Sequence, residues 1–273
     1  MENVLNDELL CFLNEENKNE NDLQRFLEEH SYYLVPEHFG HGVMHNALIS
    51  KFPLDTKYIT DYVYLCKDTV HWTLYLVELE DAKKPLLRSD GKMTSELTQA
   101  IGQIQDWKYY IDSGEGKQFI QNALKRFLCF NPIMGYNPID FKYILVIGRS
   151  NQSMQEYEKK IRYTNSTGDM TLLTYDSLVN NFRCNNQWSK EHIILTMRGG
   201  DKFKVKYVPD NLDTSIFAFL GPNELELDSG NRNKLINCGY DIEEWEKGHL
   251  LVHNNRETKD KFQKQFGDMS RGK

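Results

Sequence analysis

Two runs near residue 60 set the pattern. KYITDYVYLC (57–66) and WTLYLVELE (72–80) are rich in β-branched and aromatic residues and flank the polar KDTVH. That arrangement predicts a hairpin. Asp61 alternates with Val63 and Leu65 in the first run, and Glu78 and Glu80 alternate with Leu74 and Leu76 in the second. Side chains two apart on a strand share a face, so Glu78 and Glu80 fall on one side of an otherwise apolar element.

Helical spacing governs other stretches. VLNDELLCFLN (4–14) predicts a short amphipathic helix, and ENDLQRFLEEHSYYL (20–34) a second, with Asn21 or Asp22 as its cap. TSELTQAIGQIQDWKYYID (94–112) carries Leu97, Ile101, Ile104, Trp107 and Tyr110 as one stripe, capped by Thr94 or Ser95. QFIQNALKRFL predicts a further helix. FKYILVIGR (141–149) is apolar enough for a strand buried on both faces. SMQEYEKKIRYTN then predicts a helix, and MTLLTYDSLVNNF a strand followed by a helix. Strand–helix–strand alternation after a hairpin is an α/β signature.

Beyond Phe182 the pattern changes. HIILTMRGGDKFKVKYV (192–208) predicts a hairpin around Gly199-Gly200. IFAFLG predicts a strand, and IEEWEKGHLLVHN a short helix or turn leading into one. A boundary near 184 divides the chain into an α/β domain, 1–183, and a small β-rich domain with a polar tail, 184–273.

Composition narrows the function classes. The 273 residues are ample for a core, and no apolar run approaches the roughly 20 residues of a membrane span. The N-terminus MENVLNDELL does not read as a signal peptide. Cys11, Cys66, Cys129, Cys184 and Cys238 are scattered without a CxxC pair, which predicts reduced thiols in a cytoplasmic protein. The net charge is −7; residues 184–273 balance 14 Lys/Arg against 14 Asp/Glu, leaving 19 against 26 before them. An acidic chain is a poor generic binder of polyanions, so a nucleic-acid role needs local basic groups or a bound metal.

Asp61, Glu78 and Glu80, with Lys83 and Lys84 just beyond, form the first chemical constellation. Carboxylates from neighbouring strands can converge on a hard divalent cation, which keeps waters and accepts phosphate oxygens. The plainer alternative is a strand face whose two glutamates point at water.

The order Asp61, then Glu78-x-Glu80 on adjoining strands, resembles the PD-(D/E)xK restriction-endonuclease-like superfamily. ENDLQRFLEEHSYYL, ISKFPLDTKYITDYVYL, LYLVELEDAKKPLL, ELTQAIGQIQDWKYYI, YILVIGR and LLTYDSLVNNF, in that order, resemble the nuclease domain of Shedu-type anti-phage defence proteins over roughly residues 15–183. The resemblance implies a central mixed sheet flanked by helices and Mg²⁺- or Mn²⁺-dependent hydrolysis of DNA. It also implies a homo-oligomer that reaches both strands; the lack of a long apolar run, not the resemblance, is what predicts no membrane partner. Residue by residue, Asp61 matches the metal-binding aspartate, Glu78 the first acid of the (D/E)xK element, Glu20 a supporting helical glutamate, and Gln103 the glutamine of the following helix. Glu80 departs from the pattern by standing where a lysine is expected. It would serve as third ligand or base, with Lys83 or Lys84 supplying the ammonium; the alternative is a module that binds nucleic acid or a protein partner and cleaves weakly or not at all.

Other features carry less. His38, His41 and His45 have zinc-compatible spacing but read as loop residues, as do His249 and His253. VIGRSNQ is not a phosphate-binding loop. Arg149 either faces the substrate groove or caps a strand end by pairing with an acid. Lys202, Lys204 and Lys206 suit either a phosphate backbone or a lysine-guarded sheet edge. GYDIEEWEKG (239–248) offers aromatics for a partner.

Overall fold

The hairpin expected near residue 60 lies at the middle of an eight-stranded mixed sheet. A computed structural model describes residues 7–251 apart from 16, 36–42, 130–134, 136, 186–189, 199–201, 211, 213 and 214. Strands β1 (Ala47–Pro53), β2 (Ile59–Lys67) and β3 (Trp72–Leu79) form an antiparallel meander. β4 (Ile139–Val146) and β5 (Met170–Leu173) then add in parallel beside β3. On the other flank β6 (Ile193–Met197) pairs in parallel with β1, followed by β7 (Phe203–Tyr207) and β8 (Leu225–Glu226). The sheet order is β5-β4-β3-β2-β1-β6-β7-β8.

Helices cover both faces because both faces are apolar. α1 (Glu8–Leu13), α2 (Glu20–Glu29) and, later in the chain, α7 (Tyr175–Asn185) cover one side. There Leu23, Leu27, Leu178 and Val179 meet Tyr75 and Val77 of β3. α3 (Ser95–Asp112), α4 (Glu115–Ala123) and α5 (Lys125–Leu128) cover the opposite side, where Leu97, Ile104 and Trp107 meet Leu74 and Leu76. α6 (Gln155–Asn165) joins β4 to β5. The α3 cap is Thr94, whose side chain accepts from the Leu97 amide. α2 starts earlier than either expected cap: Asn19 caps it, and Asp22 bonds back to the Asn19 amide. Two otherwise orphaned amides are thereby satisfied.

The expected separate C-terminal domain is corrected. β6 is hydrogen-bonded to β1 from Ala47↔Ile193 to Ser50↔Thr196, and a single apolar cluster runs from Ala47 to Trp245. The compositional break near 184 therefore falls inside one core, because shared apolar faces and not charge content define a folding unit. IFAFLG, expected as a strand, instead forms helix α8 (Ile216–Phe219); α9 (Ser229–Asn237) and α10 (Ile242–Glu246) follow. Trp245 of GYDIEEWEKG is buried edge-to-face against Phe217 and so offers nothing to a partner. The expected Gly199-Gly200 turn and the polar tail lie outside the described residues.

A buried polar knot ties the two ends of the chain together. Glu28 of α2 accepts at Oε1 from Tyr62 Oη at 3.2 Å, from Ser50 Oγ at 3.4 Å and from Lys206 Nζ of β7 at 2.6 Å. Lys206 thus neutralises an acid inside the fold, and β7, lying between β6 and β8, is not a sheet edge. Glu28→Ala strands the Tyr62 hydroxyl without its acceptor. The expected cost is about 2–3 kcal/mol, read as a lower urea midpoint at unchanged m-value. An unchanged midpoint would show the knot to be incidental. Among the described residues, no helix is long and apolar enough to cross a membrane, and none of the five cysteines is in a disulfide.

Candidate active site

Strand register places the acidic residues. The last printed pair of the β2–β3 ladder is Tyr62↔Val77, so one step further Asp61 stands opposite Glu78. Such cross-strand pairs hold their Cβ atoms roughly 5 Å apart. In the β1–β2 ladder Ser50↔Tyr62 and Phe52↔Thr60 bracket Lys51, which stands opposite Asp61. Lys51, Asp61 and Glu78 therefore make one row across three adjacent strands.

The row is held by specific bonds. Lys51 Nζ lies 2.5 Å from Asp61 Oδ1, and the Leu79 amide donates to Asp61 Oδ2 at 2.7 Å. The aspartate thus substitutes for a ladder acceptor where the β2–β3 pairing ends. Gln103 of α3 donates from Nε2 to Glu78 Oε1 at 2.7 Å. Glu78 Oε2 is buried and has no hydrogen-bond partner among the described residues. Burial, then the charges of Asp61 and Glu80, push the Glu78 carboxyl up to about 9. Desolvation pulls the Lys51 ammonium down, but the Asp61 hydrogen bond and charge, followed by Glu20 and Glu78, hold it above the ordinary lysine value.

Beside the row opens a cleft of about 680 Å³, its open mouth included. Lys51, Asp61, Glu80, Lys83 and Glu20 line it, with Phe12 and Leu23 supplying apolar wall. Glu78 is not in its lining; its contact with Gln103 turns it toward α3, where Gln103, Gly102 and Lys57 border a second, more open groove.

The sequence-selected residues thus divide. Asp61, Glu78 and Gln103 meet in one array. Glu80 continues the β3–β4 pairing through its amide to Val146 O at 2.8 Å, and its carboxylate pairs with Lys84. Glu20, at the start of α2, and Lys83 border the cleft without joining the row. Among the described residues, no three acidic, histidine or cysteine side chains stand close enough to cage one ion. The donor chemistry nevertheless fits a hard cation: the available atoms are carboxylate oxygens, one is buried with no partner among the described residues, and burial, then the charges of Asp61 and Glu80, raise its proton affinity.

Lys51 was missed by sequence reasoning, since nothing in ISKFPLD marks it locally; only tertiary pairing brings it to Asp61. Tyr175 was missed as well: from α7 it donates to the Glu80 carbonyl at 2.8 Å and fixes the strand end. The other candidates resolve into structure. Arg149 grips Asp176 through two bonds of 3.0 Å and so caps the end of β4. His45 is buried against the Phe127 and Phe219 rings, and His249 pairs with Glu244. His38, His41 and His253 lie outside the described residues.

The family model described as Shedu protein SduA, C-terminal, matches residues 17–179, which include every member of the row. No curated protein matches the chain. With more than half of its 273 residues matched, the chain belongs to the Shedu protein SduA C-terminal family.

Proposed function

We propose that the protein is a Mg²⁺- or Mn²⁺-dependent DNA endonuclease built on a restriction-endonuclease-like core, working in the cytoplasm in defence against phage. Family membership supports the defence role. One observation carries the chemistry: Asp61 stands opposite Glu78, whose buried Oε2 lacks a partner among the described residues, beside a cleft open to solvent.

Asp61 and Glu78 would hold the ion. When bound, it would supply a hard Lewis acid for the phosphodiester and acidify an attached water. Gln103 fixes the Glu78 carboxyl by occupying Oε1, which leaves Oε2 as the donor. Glu80 lines the cleft and pairs with Lys84, whose ammonium would meet a phosphate oxygen there. Glu20 adds negative field from α2. Self-association that brings two such clefts to opposite DNA strands belongs to the same reading.

A second reading, a nuclease-like module that binds nucleic acid or a protein partner with weak or no cleavage, is favoured by one feature. Both Asp61 oxygens are already satisfied, by Lys51 and by the Leu79 amide. Asp61→Asn separates the two, because an asparagine oxygen can still accept from the Leu79 amide. The nuclease reading expects plasmid cleavage in Mg²⁺ to fall about 100-fold with the melting temperature nearly unchanged. Weak or absent wild-type cleavage that Asp61→Asn leaves unchanged would leave the binding module standing.

A further inference from the structure

Lys51 is the residue of the row without an assignment, and its backbone is unusual. It sits in β1 at φ 52°, a left-handed conformation that is strained for a non-glycine residue. Beyond it the strand's alternation reverses. Ser50 faces α2 through Glu28, whereas Phe52 packs on the α3 side instead of returning to Ser50's face. The kink delivers the ammonium to the cleft wall and against Asp61.

That position matters because of charge. Asp61, Glu78, Glu80 and Glu20 all bear on the same small region, and Glu80 is already paired with Lys84. Lys51 feels Asp61, Glu20 and Glu78 together. It lines the same cleft as Asp61 and holds Oδ1, while the Leu79 amide holds Oδ2. The side chain is about half exposed, so it can leave without unpacking any core.

We infer that Lys51 is a resident cation for the carboxylate row: its ammonium holds Asp61 in the metal-free protein, and a divalent ion enters by exchanging with it. The displaced ammonium stays at the cleft wall, where an approaching phosphate would meet it. The inference rests on the nuclease reading of the row and adds a positioning residue that controls metal loading. The exchange breaks the Lys51–Asp61 ion pair and forms ion–carboxylate bonds; no covalent bond changes and Lys51 keeps its proton.

Calorimetric titration with Ca²⁺ alone, without nucleic acid, tests this apart from any cleavage. Lys51→Met removes the competing charge, and Lys51→Gly removes it while suiting the left-handed backbone, so misfolding of one variant leaves the other. Both are expected to bind Ca²⁺ about tenfold more tightly than wild type, and Lys51→Arg to bind like wild type. Equal or weaker binding in both neutral variants, with wild type binding measurably, would overturn the exchange and leave the nuclease reading intact. No binding by any of the four proteins would overturn both.

Discussion

Glu78→Gln is expected to reduce Mg²⁺-dependent cleavage by about 1,000-fold or more while making the metal-free protein more stable. The two effects share one cause. Burial, Asp61 and Glu80 raise the Glu78 carboxyl from 4.5 to about 9, so between those values the folded state holds a proton that the unfolded chain releases. Stability from this group is fully present below pH 4.5 and is lost as pH rises through 9. At pH 7.5 the penalty is about 2–4 kcal/mol. A glutamine stays neutral, keeps an oxygen for Gln103, and escapes that penalty. Its melting temperature should exceed wild type by several degrees at pH 8 and converge with it near pH 5. Ion binding runs the opposite way in pH. It needs the carboxylate, so affinity rises and protons are released as pH increases. A Glu78→Gln protein that cleaves normally, or that melts lower than wild type at pH 8, would remove Glu78 from the site.

That trade-off explains what the sequence revealed and what it hid. The hairpin was legible because β2 and β3 are local, their residues alternate, and a short polar turn of four residues, 68–71, joins them. The opposition of Asp61 and Glu78 was not legible: it depends on Lys67 joining β2 and pairing with Trp72, one residue beyond the run read as a strand. Gln103 was reachable only through the family resemblance, since helix periodicity says nothing of which strand residue it touches. Lys51 was illegible. ALISKFP lacks clean alternation, in part because the left-handed Lys51 reverses it. The parallel partner of β1 also lies more than 140 residues downstream. IFAFLG shows another limit: a run of four to six apolar residues has no period that separates a buried strand from a buried helical turn, and packing against Trp245 decided for the helix.

A chain cut after residue 183 is expected not to fold, although the family match ends at 179 and composition changes near the same point. The cut removes β6, β7 and β8, and with them the strand that pairs with Ala47–Ser50 of β1. Fourteen apolar side chains among the described residues after 183 are buried, including Ile193, Phe203, Phe217 and Trp245. At about 1.5–3 kcal/mol for each fully buried large side chain, their joint contribution exceeds the roughly 5–15 kcal/mol that separates folded from unfolded domains. The cut also leaves Glu28 buried without Lys206 and exposes the long edge of β1, an invitation to edge-to-edge association. The fragment should therefore show no cooperative melt by circular dichroism, bind a hydrophobic dye, and elute as aggregate. A sharp melt in a monomeric fragment would show that β1 closes the sheet on its own. The residues after 183 would then be an accessory. Failure to fold places them inside the core that carries the row: β6 buttresses β1, β1 carries Lys51, and Lys51 meets Asp61.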